Sequence, residues 1–254
     1  MKKEVNYGNW VPRNLLYFFI GVLLLLLILT LFPINIIAKI ILWVIAGVWT
    51  LPSAFMCYLY YFFSTNNNEI QYLMWDLVIQ KLPWNGQGKA LDVGTGSGGL
   101  AIKLAKRYPQ SRVWGIDNWG KTWNYSKQQC EKNAEYEGVA DKVVFQKASA
   151  SNLPFKDGEF DAIVSNFVYH EVRDTRDKSK LINESLRILK KGGTFSMQDT
   201  FKNERRYGKI EDLIKKIKAW GIEQVNFVET VNQFPMPKIV YSEMKTMGIL
   251  YGVK

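Results

Sequence analysis

Apolar residues follow two different patterns along this 254-residue chain. From Asn14 to Ala38 no side chain is charged; Lys39 interrupts, and the next charge after it is Glu69. A bilayer core takes about 20 apolar residues as helix, and Leu15 to Phe32 and Ile40 to Phe63 each approach that length on either side of a break at Pro33. This pattern predicts a transmembrane helical hairpin, with spans at about 15–32 and 40–63, inside a membrane anchor of residues 1–65. No small-residue cleavage site follows Leu31, and the second stretch is long for a core helix, so a cleaved leader followed by a buried helix fits less well.

From residue 66 to 254 the periodicity changes and a second domain is expected. After the polar run Ser64 to Asn68, residues Ile70, Leu73, Met74, Leu77, Val78 and Leu82 recur at helical spacing and predict an amphipathic helix over Glu69 to Leu82. Short apolar runs then alternate with helical patterns: strand Ala90 to Val93, helix Gly99 to Tyr108, strand Arg112 to Ile116, helix Thr122 to Glu137, strand Lys142 to Gln146. The series continues with strand Phe160 to Ser165, helix Arg176 to Leu189, strand Gly193 to Asp199 and helix Tyr207 to Trp220. Strands separated by helices imply a doubly wound parallel sheet covered on both faces. Two last β-rich runs, Gln224 to Thr230 and Met244 to Tyr251, have no helical pattern between them and predict an antiparallel end to a seven-stranded sheet.

Charge refines this picture. The formal net charge is +10, and residues 69–254 hold 29 of the 33 Lys and Arg and 22 of the 23 Asp and Glu, with no long basic block. That distribution suits an anionic leaflet better than nucleic acid. Lys2, Lys3 and Arg13 precede the first span while the connection from Pro33 to Lys39 carries one Lys, so both ends, and the second domain, are expected on the cytoplasmic side. Trp10, Tyr17, Trp43, Trp49, Tyr58, Tyr60 and Tyr61 include rings near the expected span ends, where headgroups favour them. Cys57 and Cys130 lie far apart with no metal-ligand spacing, which points to neither zinc nor a disulfide framework, and Cys130 is expected as a reduced thiol.

The chemistry begins at Leu91 to Gly99, LDVGTGSGG, where a buried strand runs into a glycine-rich turn and then a helix. Such a turn lets a ligand approach bare backbone at the carboxyl end of the sheet. Gly94, Gly96, Gly98 and Gly99 also satisfy a dinucleotide fingerprint, so the glycines alone leave NAD open. Asp92, two residues before the first of them, favours a cationic ligand over a pyrophosphate. Asp117 ends the strand VWGID about 20 residues after the glycine turn, where a carboxylate can take both ribose hydroxyls of either ligand.

Leu91 to Gly99, Trp114 to Asn118 and Asn152 to Ser165 (NLPFKDGEFDAIVS), followed in order by FDAIVSNFVYHEV and LKKGGTFSMQD, resemble the successive motifs of class I S-adenosylmethionine (SAM)-dependent methyltransferases over about residues 88–200. The resemblance implies a Rossmann-like fold and SAM as cofactor. It places Asp92, Gly94 and Gly96 around the amino-acid part of SAM and Asp117 on its ribose, with Thr95, Gly98, Ala150 and Asn166 completing the cofactor set. Many members carry an acid three places before the Asn of NLPF, on the adenine amine; here that position is Ser149, a weaker acceptor. Asn118, and Trp119 through ring stacking, are expected to compensate.

Methyl transfer needs an aligned nucleophile in a dry site, and a base where the acceptor must lose a proton. His170, the one histidine, follows strand Phe160 to Ser165 in NFVYHEV and is the candidate base, with Tyr169 beside it as a second candidate and Glu171 read as a cap. Asn166 is followed by Phe167, so the Asn-Pro-Pro-Tyr signature of many amino-group methyltransferases is absent. Trp119, Trp123 and Tyr125 cluster after Asp117; on a helix from Thr122, Trp123 and Lys127 would share a face. Arg205 and Arg206 read as a solvated or leaflet-facing turn. These features predict SAM-dependent methylation of a small, hydrophobic or membrane-associated acceptor (a lipid, quinone-like ring or thiol), with no metal. A membrane-tethered module that binds SAM without turnover is the alternative.

Overall fold

The computed structural model describes residues 4–65, 69–120, 123, 125–235 and 237–254. Lys2 and Lys3, used above for orientation, the end of the polar run at Asn66 to Asn68, and Thr122 lie outside the described residues. The chain divides into two compact units, one of Gly8–Tyr72 with Lys121–Asn124, the other of Met1–Tyr7, Leu73–Gly120 and Tyr125–Lys254.

The smaller unit holds two apolar helices, α1 (Arg13–Leu29) and α2 (Ile36–Phe62). Asn35 caps α2, its side chain accepting from the Ala38 N–H at 2.8 Å. Pro52 sits inside α2 and removes one ladder bond. The Ser53 hydroxyl, next to it, and the Trp49 indole N–H, three residues before it, both donate to the Phe19 carbonyl on α1, at 3.2 and 3.0 Å. The helices therefore meet through polar contacts among rings, and the Phe19 and Trp49 rings stack at 5.4 Å.

Most of their apolar surface faces outward. Only 11% of the most apolar window of α2 is buried, which is not the environment of a core helix, and Leu31, Leu51 and Ile36 are among its exposed neighbours or members. Among the described residues, Ile36–Phe62 is the one helix long and apolar enough to cross a membrane. The first predicted span comes out shorter, with a helix of 17 residues, roughly 26 Å at about 1.5 Å per residue. It stops at Leu29 because the chain turns through Thr30 and Leu31 ahead of Pro33, and Phe32 is left outside the helix.

The helix α3 (Ile70–Lys81) leads into the larger unit, where β1 (Lys89–Val93), α4 (Gly99–Arg107), β2 (Arg112–Asp117), α5 (Lys127–Tyr136) and β3 (Val143–Lys147) follow, then β4 (Phe160–Asn166), α6 (Ser179–Arg187) and β5 (Leu189–Asp199). The seven-stranded sheet has the order β3-β2-β1-β4-β5-β7-β6, and β1 to β5 pair in parallel. β1 and β4 are buried almost end to end, as strands covered on both faces must be. The helices show one apolar stripe each: α4 buries Leu100, Ala101, Leu104 and Ala105 and turns Lys106 and Arg107 to its carboxyl end, where the dipole favours them. The core gathers around Leu91, Ile163, Phe160, Phe195, Leu181 and Ile182.

Past β5 the expectations need correction. The predicted helix Tyr207 to Trp220 begins later, as α8 (Ile210–Ala219): Tyr207 closes a separate short helix, α7 (Glu204–Tyr207), and Gly208 at φ 72° breaks the helical run between them. After β6 (Gln224–Glu229) a helix, α9 (Lys238–Met244), does intervene before β7 (Gly248–Val253), so Met244 is helical and buried rather than in a strand. The antiparallel end holds: β7 lies between β5 and β6 and runs against both.

Ile163, fully buried on β4 between β1 and β5, has no space-filling substitute if truncated. Ile163→Ala should lower the stability of the larger unit by about 3 kcal/mol, read as a fall in the urea midpoint of the detergent-solubilised chain; an unmoved midpoint would mean that this layer is not the core.

Candidate functional site

Strand order reverses between β1 and β4, whose neighbours lead off in opposite directions. A crevice therefore opens beyond their carboxyl ends, where open α/β sheets bind ligands. The turn Gly94 to Gly98 fills the floor of that crevice. The N–H groups of Gly94 and Thr95 both donate to the Ile116 carbonyl at 2.8 Å, and Gly98, at φ 87°, opens α4. Gly94, at φ 74°, lies so close under the Val168 side chain that a methyl group there would collide with it. Gly96, at φ 57°, is less crowded: a Cβ would meet the Tyr125 ring at 3.5 Å, an ordinary van der Waals contact.

Two carboxylates end the strands beneath this turn. Asp92 is buried and accepts from the Thr95 hydroxyl at 2.7 Å. Burial pushes its pKa up to about 7; the Thr95 bond offsets part of that and the nearby Asp117 adds to it. Asp117 accepts from the Gly96 N–H at 2.9 Å and the Trp119 N–H at 2.6 Å. Burial raises its pKa as well, against the backbone bonds. Each of its oxygens keeps a further lone pair for a hydroxyl donor.

The other predicted cofactor residues are placed as follows. Asn118 is exposed. Trp119 is held at φ 44° with its indole N–H donating to the Gly96 carbonyl at 2.8 Å, so its ring braces the glycine turn. Ser149 shares a hydrogen bond of 2.8 Å with Ser151, whose hydroxyl donates to Asp174 at 2.6 Å; an acid absent from position 149 is thus joined to it through one side chain. Ala150 is buried next to them. Asn166 ends β4, and its Oδ1, buried, has no protein partner. Beside it in register is Gln198 of β5, whose Oε1 is likewise buried and unpartnered.

His170 stands past β4, between two acids. Its Nδ1 lies 2.7 Å from Asp199 Oδ1 and its Nε2 3.3 Å from Glu171 Oε1. Burial alone would lower the imidazole pKa, but the Asp199 and Glu171 carboxylates outweigh it and carry it up to about 9. The ring is therefore cationic at neutral pH. Asp199 is fully buried, and His170 holds it ionised against that burial. Tyr169, the second catalytic candidate, is not brought to the crevice: its ring is fully buried in the core and its hydroxyl pairs with Ser185 at 2.9 Å, because residues 169 and 170 point to opposite sides of the turn. Glu171 is a partner of His170 rather than a cap.

Trp123 and Lys127 do not share a helix face. Ser126 caps α5 through the Gln129 N–H at 3.2 Å and starts it at Lys127. Cys130 is buried against the Gly96 carbonyl at 3.2 Å, and burial pushes its thiol up, which leaves no thiolate for nucleophilic chemistry. Asp199 was missed on the sequence, although it ends a strand at the carboxyl edge, the position that marks Asp117.

These residues fit a ligand with a positive charge. Asp92 is a buried carboxyl whose proton affinity is raised, which a neighbouring cation would reverse, and the Oδ1 of Asn166 is a buried acceptor awaiting a donor. Comparison with known proteins agrees. Residues 91–197 match the family described as a methyltransferase domain. A ubiquinone/menaquinone biosynthesis C-methyltransferase UbiE of Geotalea daltonii is 33% identical over 116 residues, 45% of this chain and 46% of that protein. A demethylmenaquinone methyltransferase of Thermus thermophilus is 35% identical over 118 residues, 46% of this chain and 48% of the relative. The chain thus spans about half the length of these curated relatives. Among solved structures, the geranyl diphosphate C-methyltransferase of Streptomyces coelicolor A3(2), in complex with S-adenosyl-L-homocysteine, shares the fold at a TM-score of 0.54 and 14% identity, over 73% of this chain and 79% of that one.

A cationic ligand requires ionised Asp92, so its affinity should rise with pH toward about 7 and level off above it. Below that value the affinity for SAM should fall roughly tenfold per pH unit. Calorimetric titration between pH 5.5 and 8.5 checks this, and Asp92→Asn should bind weakly with no pH dependence of this kind; a wild-type affinity flat across the range would refute the assignment.

Proposed function

We propose that this chain, which carries a SAM-dependent methyltransferase domain, methylates a hydrophobic ring compound of the quinol type that reaches it from a membrane. The observation that carries the cofactor reading is the pair of buried carboxylates, Asp92 and Asp117, around a bare-backbone turn at the point where strand order reverses. SAM, when bound, supplies a methyl group on a positively charged sulfur. In this reading Asp92 and the Asn166 Oδ1 face its charged amino-acid end, Asp117 and the side-chain-free backbone at Gly96 take the ribose, and Ser149, Ala150, Asn118 and Trp119 line the adenine. Thr95 and Gly98 hold the shape of the turn.

The acceptor reading draws on the two quinone-related relatives and on the apolar helices. The outward-facing surface of α2, and of α1 beside it, supports a membrane anchor in residues 1–65; the basic residues ahead of the first span in the sequence, against the single Lys39 in the connection, support a cytoplasmic side for the domain of residues 66–254. An anchored domain keeps an apolar acceptor at high local concentration.

A ring carbon becomes a better nucleophile as a hydroxyl on the ring loses its proton. His170, once it has lost its own proton, can take that one at Nε2: Asp199 orients the ring through Nδ1, and the half-exposed Glu171 is the group an incoming hydroxyl displaces. The proton then rests on an imidazolium that Asp199 already stabilises.

Incubating the detergent-solubilised chain with methyl-labelled SAM and separate sets of demethylated quinols, lipid headgroups and apolar thiols should label the quinols. Binding of SAM without turnover on any of these would favour the inactive module. The base should act when deprotonated, so turnover should rise with pH through about 9, and Glu171→Gln should move that rise to lower pH by removing one of the two acids. His170→Asn should cost roughly 100-fold or more in kcat; a pH profile unchanged in Glu171→Gln would remove His170 from this role.

A further inference from the structure

The segment before α1 does not hang free of the larger unit. Tyr7 is only 3% exposed, its ring edge-on to Trp75 at 5.3 Å, and its hydroxyl donates to Glu137 at 3.2 Å. Asn6 is fastened by its backbone. Its N–H donates to Asn133 Oδ1 at 3.0 Å, and its carbonyl accepts from Asn133 Nδ2 at 2.8 Å and from Gln129 Nε2 at 2.6 Å. The same Asn133 Nδ2 also donates to the Ser97 carbonyl at 3.0 Å. Ser97 lies within the glycine turn. The Trp75 ring, in turn, lies where a side chain on Gly99 would be, at the first residue of α4.

We propose that residues 4–7 form a strap outside the cofactor site that positions the segment Ser97 to Gly99 through Asn133 and Trp75, so that docking of the strap and binding of SAM support each other. This rests on the reading of the glycine turn as the SAM site. The chemistry of Asn133 is what makes it a coupler. An amide offers one acceptor and two donor hydrogens, and here the acceptor meets the Asn6 N–H while the donors meet two carbonyls on different segments. Asp in its place would face two carbonyl oxygens with a carboxylate, and Ala would leave three backbone groups with one partner fewer. Tyr7 and Asn133 touch no ligand in this reading; they are positioning residues. Because coupling is reciprocal, whatever the strap adds to SAM affinity, SAM adds to the docking of the strap.

The test uses the full chain in detergent. Hydrogen exchange at the amides of residues 4–7 should slow when the wild type is saturated with SAM. Calorimetry should show SAM affinity roughly five- to tenfold weaker in Asn133→Ala and in Tyr7→Ala. The double variant should lose less than the product of the two, and kcat at saturating SAM should change little. Should Tyr7→Ala unfold, Tyr7→Phe keeps the ring, drops the Glu137 bond and should still weaken binding, while the exchange measurement needs no variant. Equal affinity in wild type and variants, or strap exchange indifferent to SAM, overturns the proposal. A wild type that does not bind SAM overturns the cofactor reading beneath it.

Discussion

Asp92 sits one residue before the end of β1 with a hydroxyl for a partner and almost no access to water. A carboxylate in that position is a standing cost to the ligand-free protein: the penalty grows as pH rises from the ordinary carboxylate range toward about 7 and is present in full above it. The arrangement around it is organised by that cost. The glycine turn folds back so that Gly94 and Thr95 donate to Ile116, and this brings the Thr95 hydroxyl onto Asp92. The next N–H, of Gly96, goes to Asp117. A site built on two poorly solvated acids selects for a positively charged occupant before any shape is considered.

At the other edge of the crevice the same physics takes the opposite form. His170 is also removed from water, yet the two acids beside it overcome its burial and keep it protonated. One side therefore holds negative charge that lacks a cation, the other holds a cation that is fully paired.

Much of this was legible in the sequence because it is local. The strands of the parallel sheet, the glycine turn and Asp117 are each written in runs of fewer than ten residues, and the observed strand limits lie within a few residues of the predicted ones. What escaped was decided elsewhere. Trp123 carries no feature that forbids a helix, but Ser126 caps α5 and starts it at Lys127. Gly208 cuts a helix that its neighbours would continue. Asp199 becomes a partner of His170, and Asn133 a partner of Asn6 and Ser97, only when strands and helices far apart in sequence are brought together. No periodicity encodes such pairings.

The place of β7 bears on how the chain is made. β7 lies between β5 and β6, although it is synthesised after both. Until it emerges from the ribosome, β5 has an unpaired edge and β6 has nothing to pair with, so the nascent domain carries an open strand edge of the kind that recruits other chains. The six-residue strand made last is thus the one that closes the sheet.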